Sequence, residues 1–101
     1  MWIRSQDKLF LVEAKRILIL SPNAYRKKFE IVNYVSEISD AELGTFADYD
    51  SLGEYESKKR AIEVLDDIQE NINVLEYDKV YKSHNEKMYA QGRYVYQMPE
   101  K

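Results

Sequence analysis

Residues 52–75, LGEYESKKRAIEVLDDIQENINVL, constrain the fold more than any other stretch of the chain. They read as a short strand, a Gly-containing bend and then the one long amphipathic helix, expected over 57–75. Ala61, Leu65, Ile68, Ile72 and Leu75 recur at alternating four- and three-residue steps, flanked by Ile62 and Val64, so one face is apolar and turns to a core. Glu63, Asp66, Asp67, Glu70 and Asn71 form the outer face. A buried Leu or Ile side chain stabilises by roughly 1.5–3 kcal/mol, which makes this helix the expected largest contributor to the core. Ser57 is the expected N-cap, its hydroxyl accepting from amides of the next turn. The third following residue is Arg60, so no capping box is present.

A chain of 101 residues supports a single core and a single domain, 1–101. The rest of the sequence therefore has to supply a sheet for this helix. Residues 1–6 alternate as a strand, with Trp2, Arg4 and Gln6 on one face and Met1, Ile3 and Ser5 on the other. Residues 9–20 have apolar ends around Glu13-Ala14-Lys15-Arg16 and fit a helix poorly. They read as one long bent strand or two short ones, with a bulge near Ala14. Ser21-Pro22-Asn23 ends that segment. Residues 29–36 are β-branched and aromatic and read as a strand, with Asn33 interrupting the face of Phe29, Ile31 and Val35. The polar residues 38–42 read as a loop or a single helical turn. Leu43-Gly44-Thr45-Phe46 and Leu52-Gly53-Glu54-Tyr55 repeat a Leu-Gly-x-aromatic pattern and read as two short strands joined by a loop over 47–51. Residues 77–91 fit either a second short helix or a loop, and 93–98 alternate as a final strand. The expected fold is α+β: an antiparallel sheet of about five to six short strands packed against one long amphipathic helix.

The charges are segregated along the chain. Residues 1–28 carry Arg4, Lys8, Lys15, Arg16, Arg26, Lys27 and Lys28 against only Asp7 and Glu13. Residues 29–57 carry Glu30, Glu37, Asp40, Glu42, Asp48, Asp50, Glu54 and Glu56 with no Lys or Arg. Segregation of this kind bears on partners, not on fold. The chain has no Cys, which excludes disulfides, thiolate catalysis and Cys-based zinc sites. No apolar run approaches the ~20 residues of a membrane span. The N-terminal MWIRSQDK lacks the pattern of a signal peptide, so a cytoplasmic protein is expected.

Catalysis fits poorly. Nucleophilic chemistry needs a partnered base, and the single His, His84, lies in the least defined segment. Asp66 and Asp67 are neighbours on a helix and point about 100° apart. Asp48-Tyr49-Asp50 resembles the start of a calcium loop but lacks the downstream Gly and Glu of an EF-hand. The expectation is a non-enzyme with no cofactor and no metal. Lys58, Lys59 and Arg60 sit in the first helical turn, against the helix dipole. They form the candidate ligand-binding set, for an anionic, nucleotide-like molecule; the competing explanation is neutralisation by Glu54, Glu56 and a Lys59–Glu63 pair. The nine Tyr residues offer stacking surface, but net acidity and the lack of a recognised motif speak against nucleic acid. The acidic run supplies a candidate partner-binding set, Glu42, Asp48 and Asp50, for a basic protein partner. Trp2, Tyr94 and Tyr96 are added as aromatic contact residues, also suited to a homodimer.

Three blocks occur in order: Trp2 to Lys8 (WIRSQDK), Leu52-Gly53-Glu54-Tyr55 followed by residues 59–69 (KRAIEVLDDIQ), and residues 95–99 (VYQMP). Together they resemble a group of small uncharacterised proteins of phages, prophages and mobile elements in Gram-positive bacteria. The resemblance covers both ends and the middle and leaves 20–51 uncovered. It implies a genomic setting and supplies no catalytic residues. With the charge layout, it leads to the expectation of a non-enzymatic binding protein that inhibits a host defence factor by protein–protein contact. A binder sequestering an anionic ligand and a structural or assembly module are the alternatives.

Overall fold

The computed structural model describes residues 1–42, 44–81 and 95–101, with the side chains of 38–40, 45–46 and 74–81 left aside. Six strands and one helix follow in the order β1 (Trp2–Arg4), β2 (Leu11–Glu13), β3 (Ile17–Leu20), β4 (Phe29–Asp40), β5 (Gly44–Tyr55), α1 (Lys58–Tyr81) and β6 (Val95–Gln97). The protein is α+β, with the strands in two three-stranded sheets, β2-β1-β6 and β3-β4-β5. This corrects the expected single antiparallel sheet in two respects. The chain leaves the first sheet at Glu13 and enters the second at Ile17, and β6 runs parallel to β1, pairing Ile3 with Tyr96. Parallel neighbours need a long connection rather than a tight turn, and β1 and β6 stand at opposite ends of the element order.

Residues 9–20 form two short strands, one of the two alternatives open in the sequence. The break is built by Asn33, a buried residue of β4. Its Oδ1 accepts from the amides of Lys15 and Arg16 at 3.0 and 3.3 Å, and its Nδ2 donates to the Glu13 carbonyl at 3.2 Å. The side-chain amide thus replaces a neighbouring strand where the chain steps between sheets. Gln6 acts likewise at the other seam. Its backbone amide donates to the Leu52 carbonyl at 2.7 Å. Its side chain accepts from the Glu54 amide and donates to the Glu54 carbonyl, at 2.9 and 3.1 Å.

The longest departure from expectation is β4–β5. Residues 38–42 are not a separate loop: β4 continues through Asp40, and Ala41 and Glu42 are the described residues of the turn. The two Leu-Gly-x-aromatic repeats are not separate strands either, because both glycines lie in one 12-residue β5. Residues 47–51 pair across to β4, for example Ala47 with Glu37 and Asp50 with Asn33. Their acidic composition imitates a loop, but a strand facing solvent tolerates polar side chains. The two glycines have different reasons. Gly44, at φ +84°, turns the hairpin back into its second strand. Gly53 lets Gln6 approach: a Cβ there would lie 3.2 Å from the Gln6 Cβ and 3.2 Å from the Tyr55 hydroxyl.

α1 starts as expected, with the Arg60 amide donating to Ser57 Oγ and the Ala61 amide to the Ser57 carbonyl, both at 3.1 Å. It continues through Tyr81, beyond the expected end at Leu75, so the first part of 77–91 belongs to this helix and the rest lies outside the described residues. Its buried face is Ala61, Val64 and Ile68, with Leu65 and Ile72 half-buried at the rim. Val64, expected as a flank, is therefore central. This face meets Ile3, Ile31, Leu52, Tyr55, Tyr96 and Met98 in one core. Val32, equally buried, lies outside that core cluster, at the register level of Leu18 and Ser51.

Candidate functional site

The β4–β5 pair divides into a base and an arm. At the base, β3 flanks β4 over Glu30 to Asn33. Past Tyr34 no described strand flanks β4, and residues 36–40 pair with β5. This outer half is a two-stranded ribbon closed by the turn at Ala41-Glu42. Strand regularity breaks where it begins, with a bulge between Tyr34 and Ser36 that leaves Val35 without an opposite residue. Tyr34 and Tyr49 stand opposite each other and touch edge to face, centroids 6.0 Å apart, and Arg16 lies 5.6 Å from the Tyr34 ring centre.

Two of the three acidic residues proposed for partner contact fall on this ribbon. Glu42 is exposed in the turn, and Asp48 is exposed on β5 opposite Ser36. Asp50 is half-buried at the base, opposite Asn33, from whose Nδ2 it accepts a long, 3.5 Å contact. Around them Val35 and Tyr49 are about two-fifths exposed, at 41% and 39%. Glu37 adds a further exposed carboxylate. The ribbon thus exposes an aliphatic and an aromatic side chain together with carboxylates, and the cation nearest its aromatic pair is Arg16.

Trp2 and Tyr96, the described aromatic residues placed with them, lie elsewhere. Trp2 is half-exposed on β1. Tyr96 is buried in the core, its hydroxyl donating to Asp67 Oδ2 at 2.7 Å, so its ring is not surface. Asp67 therefore does more than line the outer face of the helix. Tyr94 and His84 lie outside the described residues.

The basic set does not converge. Lys58 and Lys59 are exposed, whereas Arg60 turns to the protein, its Nε donating to the Lys101 carbonyl oxygen at 2.8 Å and its guanidinium pairing with Glu63 at 3.3 Å. Arg60 borders a groove of about 590 Å³ together with Lys28, Lys101, Glu54, Glu56, Glu100 and Tyr55. Three bases face three acids there, and Lys28 already holds Glu56 at 3.0 Å, which raises the pKa of the Lys28 ammonium. An anion meets no net positive field in this groove. Tyr55 forms its inner wall and donates its hydroxyl to the Pro99 carbonyl at 2.8 Å. Burial pushes that phenol up to about 12, against a small opposing pull from Arg60.

Three residues that matter to these surfaces were not singled out from the sequence. Gln6 and Asn33 stitch the sheets; a polar residue in the apolar face of 29–35 was the visible sign of Asn33, and local pattern offered none for Gln6. Tyr25, 98% exposed, caps the loop after β3. That loop is built by paired contacts between Asn23 and Arg26 and by the Tyr25 amide donating to Asn23 Oδ1 at 2.8 Å. Among the described residues no group of three His, Asp or Glu could hold a metal ion, and no helix is long and apolar enough to cross a membrane. No protein-family model, curated protein or solved structure matches the chain.

Proposed function

We propose that this is a binding protein that acts by protein–protein contact, with the acidic arm of β4–β5 as its contact element and a basic protein surface as its target. The observation that supports this is the arm itself. Two-stranded ribbons are marginal without further packing, yet this one carries Val35 and Tyr49 exposed beside Glu37, Glu42 and Asp48. In the phage and mobile-element setting implied by the sequence resemblance, the target is a host defence factor whose action the contact blocks, in the cytoplasm of the bacterial host.

The test is capture of partners from host lysate with the immobilised protein, compared with Glu42→Lys/Asp48→Lys. Asp50 is left unchanged because it touches Asn33. The proposal requires about a tenfold or greater loss of capture at low salt, with the circular dichroism spectrum unchanged. Equal capture by the two proteins would remove the arm from the function.

A further inference from the structure

The charge segregation seen along the sequence becomes a separation in space. The 12 residues of β4 span roughly 40 Å at ~3.3 Å per residue. The basic loop 21–28 precedes its first residue, and the acidic turn follows its last. The ion pairs found among the described residues, Arg26–Glu30, Lys28–Glu56 and Arg60–Glu63, all lie toward the base. Glu37 and Asp48 of the arm, and Lys15 and Lys27 of the base, are exposed and take part in none of them.

Beside the basic loop runs an unusual edge. β3 is Ile-Leu-Ile-Leu, and among the described residues its only strand partner is β4. The Tyr34 amide donates to the Arg16 carbonyl at 2.8 Å, and bonding alternates along an antiparallel pair. The backbone groups of Leu18 and Leu20 therefore face β4, and those of Ile17 and Ile19 face outward. Edge strands are usually protected by an internal charge, proline or bulge, and β3 has none within its four residues. Basic residues bracket it instead, Lys15 and Arg16 before and Arg26, Lys27 and Lys28 after. Two copies pairing β3 against β3 antiparallel would bring these basic ends together. An acidic strand suits the same edge.

We propose that this edge receives the acidic arm of a second copy of the chain, in a head-to-tail contact. The inference rests on the arm being a contact element and names a second occupant for it. The arm of one molecule lies along β3 of the next, with Glu37 and Asp48 set among Lys15, Arg16 and Lys27. Each molecule donates an arm and offers an edge, so two molecules that exchange arms close a two-fold dimer, and unreciprocated contacts continue into a ring or an open chain. Salt weakens it, because the pairing charges are exposed.

The experiment is sedimentation velocity on three proteins: the native chain, the arm variant Glu37→Lys/Asp48→Lys and the base variant Lys15→Glu/Lys27→Glu. At about 50 mM ionic strength the native protein gains mass with concentration, and at about 1 M it returns to the monomer. Each variant alone is monomeric, since residues 37 and 48 then meet side chains of their own sign at 15 and 27. Mixed in equal amounts, the two variants associate, which also shows that both are folded. A native protein monomeric at all concentrations at low salt overturns the proposal. So does an arm variant that associates alone, which would point to pairing through another surface. Loss of lysate capture by Glu42→Lys/Asp48→Lys in a protein that never self-associates would leave the proposed function standing and remove only this inference.

Discussion

The base and the arm of β4–β5 share one secondary structure and differ in what lies against it. At the base, Ile31, Leu52 and Tyr55 are buried under α1, and the strand edges are closed by side-chain amides from Asn33 and Gln6. In the arm, no other described strand flanks these two, and Val35, Tyr49 and Asp48 face solvent. Backbone pairing alone therefore does not tell a stabilising region from a contact region. The neighbours of the ribbon do, because burial and satisfied polar groups carry the free energy. The contrast implies that substitutions at the base cost stability, and that arm substitutions cost binding.

The sharpest way to break that contrast is Asn33→Ala. It leaves two amides and a carbonyl of residues 13–16 without their partner, at a cost of about 2–4 kcal/mol in urea unfolding, since each orphaned buried group costs roughly 1–3 kcal/mol and water reaches part of this seam. A loss below about 0.5 kcal/mol would mean that the seam does not depend on the amide. Gly53→Ala comes next. The added methyl must displace Gln6 or the Tyr55 hydroxyl, so a loss of about 1–3 kcal/mol is expected, together with faster amide exchange at Glu54, whose N–H is held by Gln6.

Tyr55→Phe removes one hydrogen bond, to Pro99, and should cost about 1 kcal/mol at neutral pH. It also has a pH signature. The Tyr55 phenol titrates at about 12 in the folded protein, above its ordinary 10.0. A raised folded pKa means that its contribution is complete below pH 10 and is lost as pH rises through about 12. The native protein should lose stability across that window more steeply than Tyr55→Phe. Equal slopes would show that the phenol is not held in its neutral form by burial. The smallest effects belong to the arm. Val35→Thr and Asp48→Lys should each change stability by no more than about 0.5 kcal/mol. A loss above about 1 kcal/mol in either would show that the arm packs as part of the body and would blur the contrast.

The helix was the most legible element. Its cap at Ser57, its start and its apolar stripe depend on residues one to four apart, so local spacing reveals them. The spacing centres the stripe on Leu65, one position from Val64, which packs there, and the helix runs past Leu75 because no Gly or Pro stops it. The acidic candidates Glu42 and Asp48 lie on the arm, for which the only sign was the absence of Lys and Arg from 29–57. The basic candidates Lys58, Lys59 and Arg60 were grouped by adjacency, and α1 separates them because successive side chains point about 100° apart.

By itself the sequence determined an α+β protein with one capped amphipathic helix, β-rich flanks and two oppositely charged segments. The tertiary structure alone decided that the strands form two sheets, that β6 enters parallel to β1, and that 44–55 is one unbroken strand. It also decided that a charge pattern along the chain becomes two charged ends of one ribbon. The reason is range. A helix satisfies its backbone within a few residues, whereas Gln6 finds acceptors at Glu54, Pro99 and Glu100, the last 94 residues away. Which strands meet, and which side chain closes the gap between them, is settled only when those distant segments share one core.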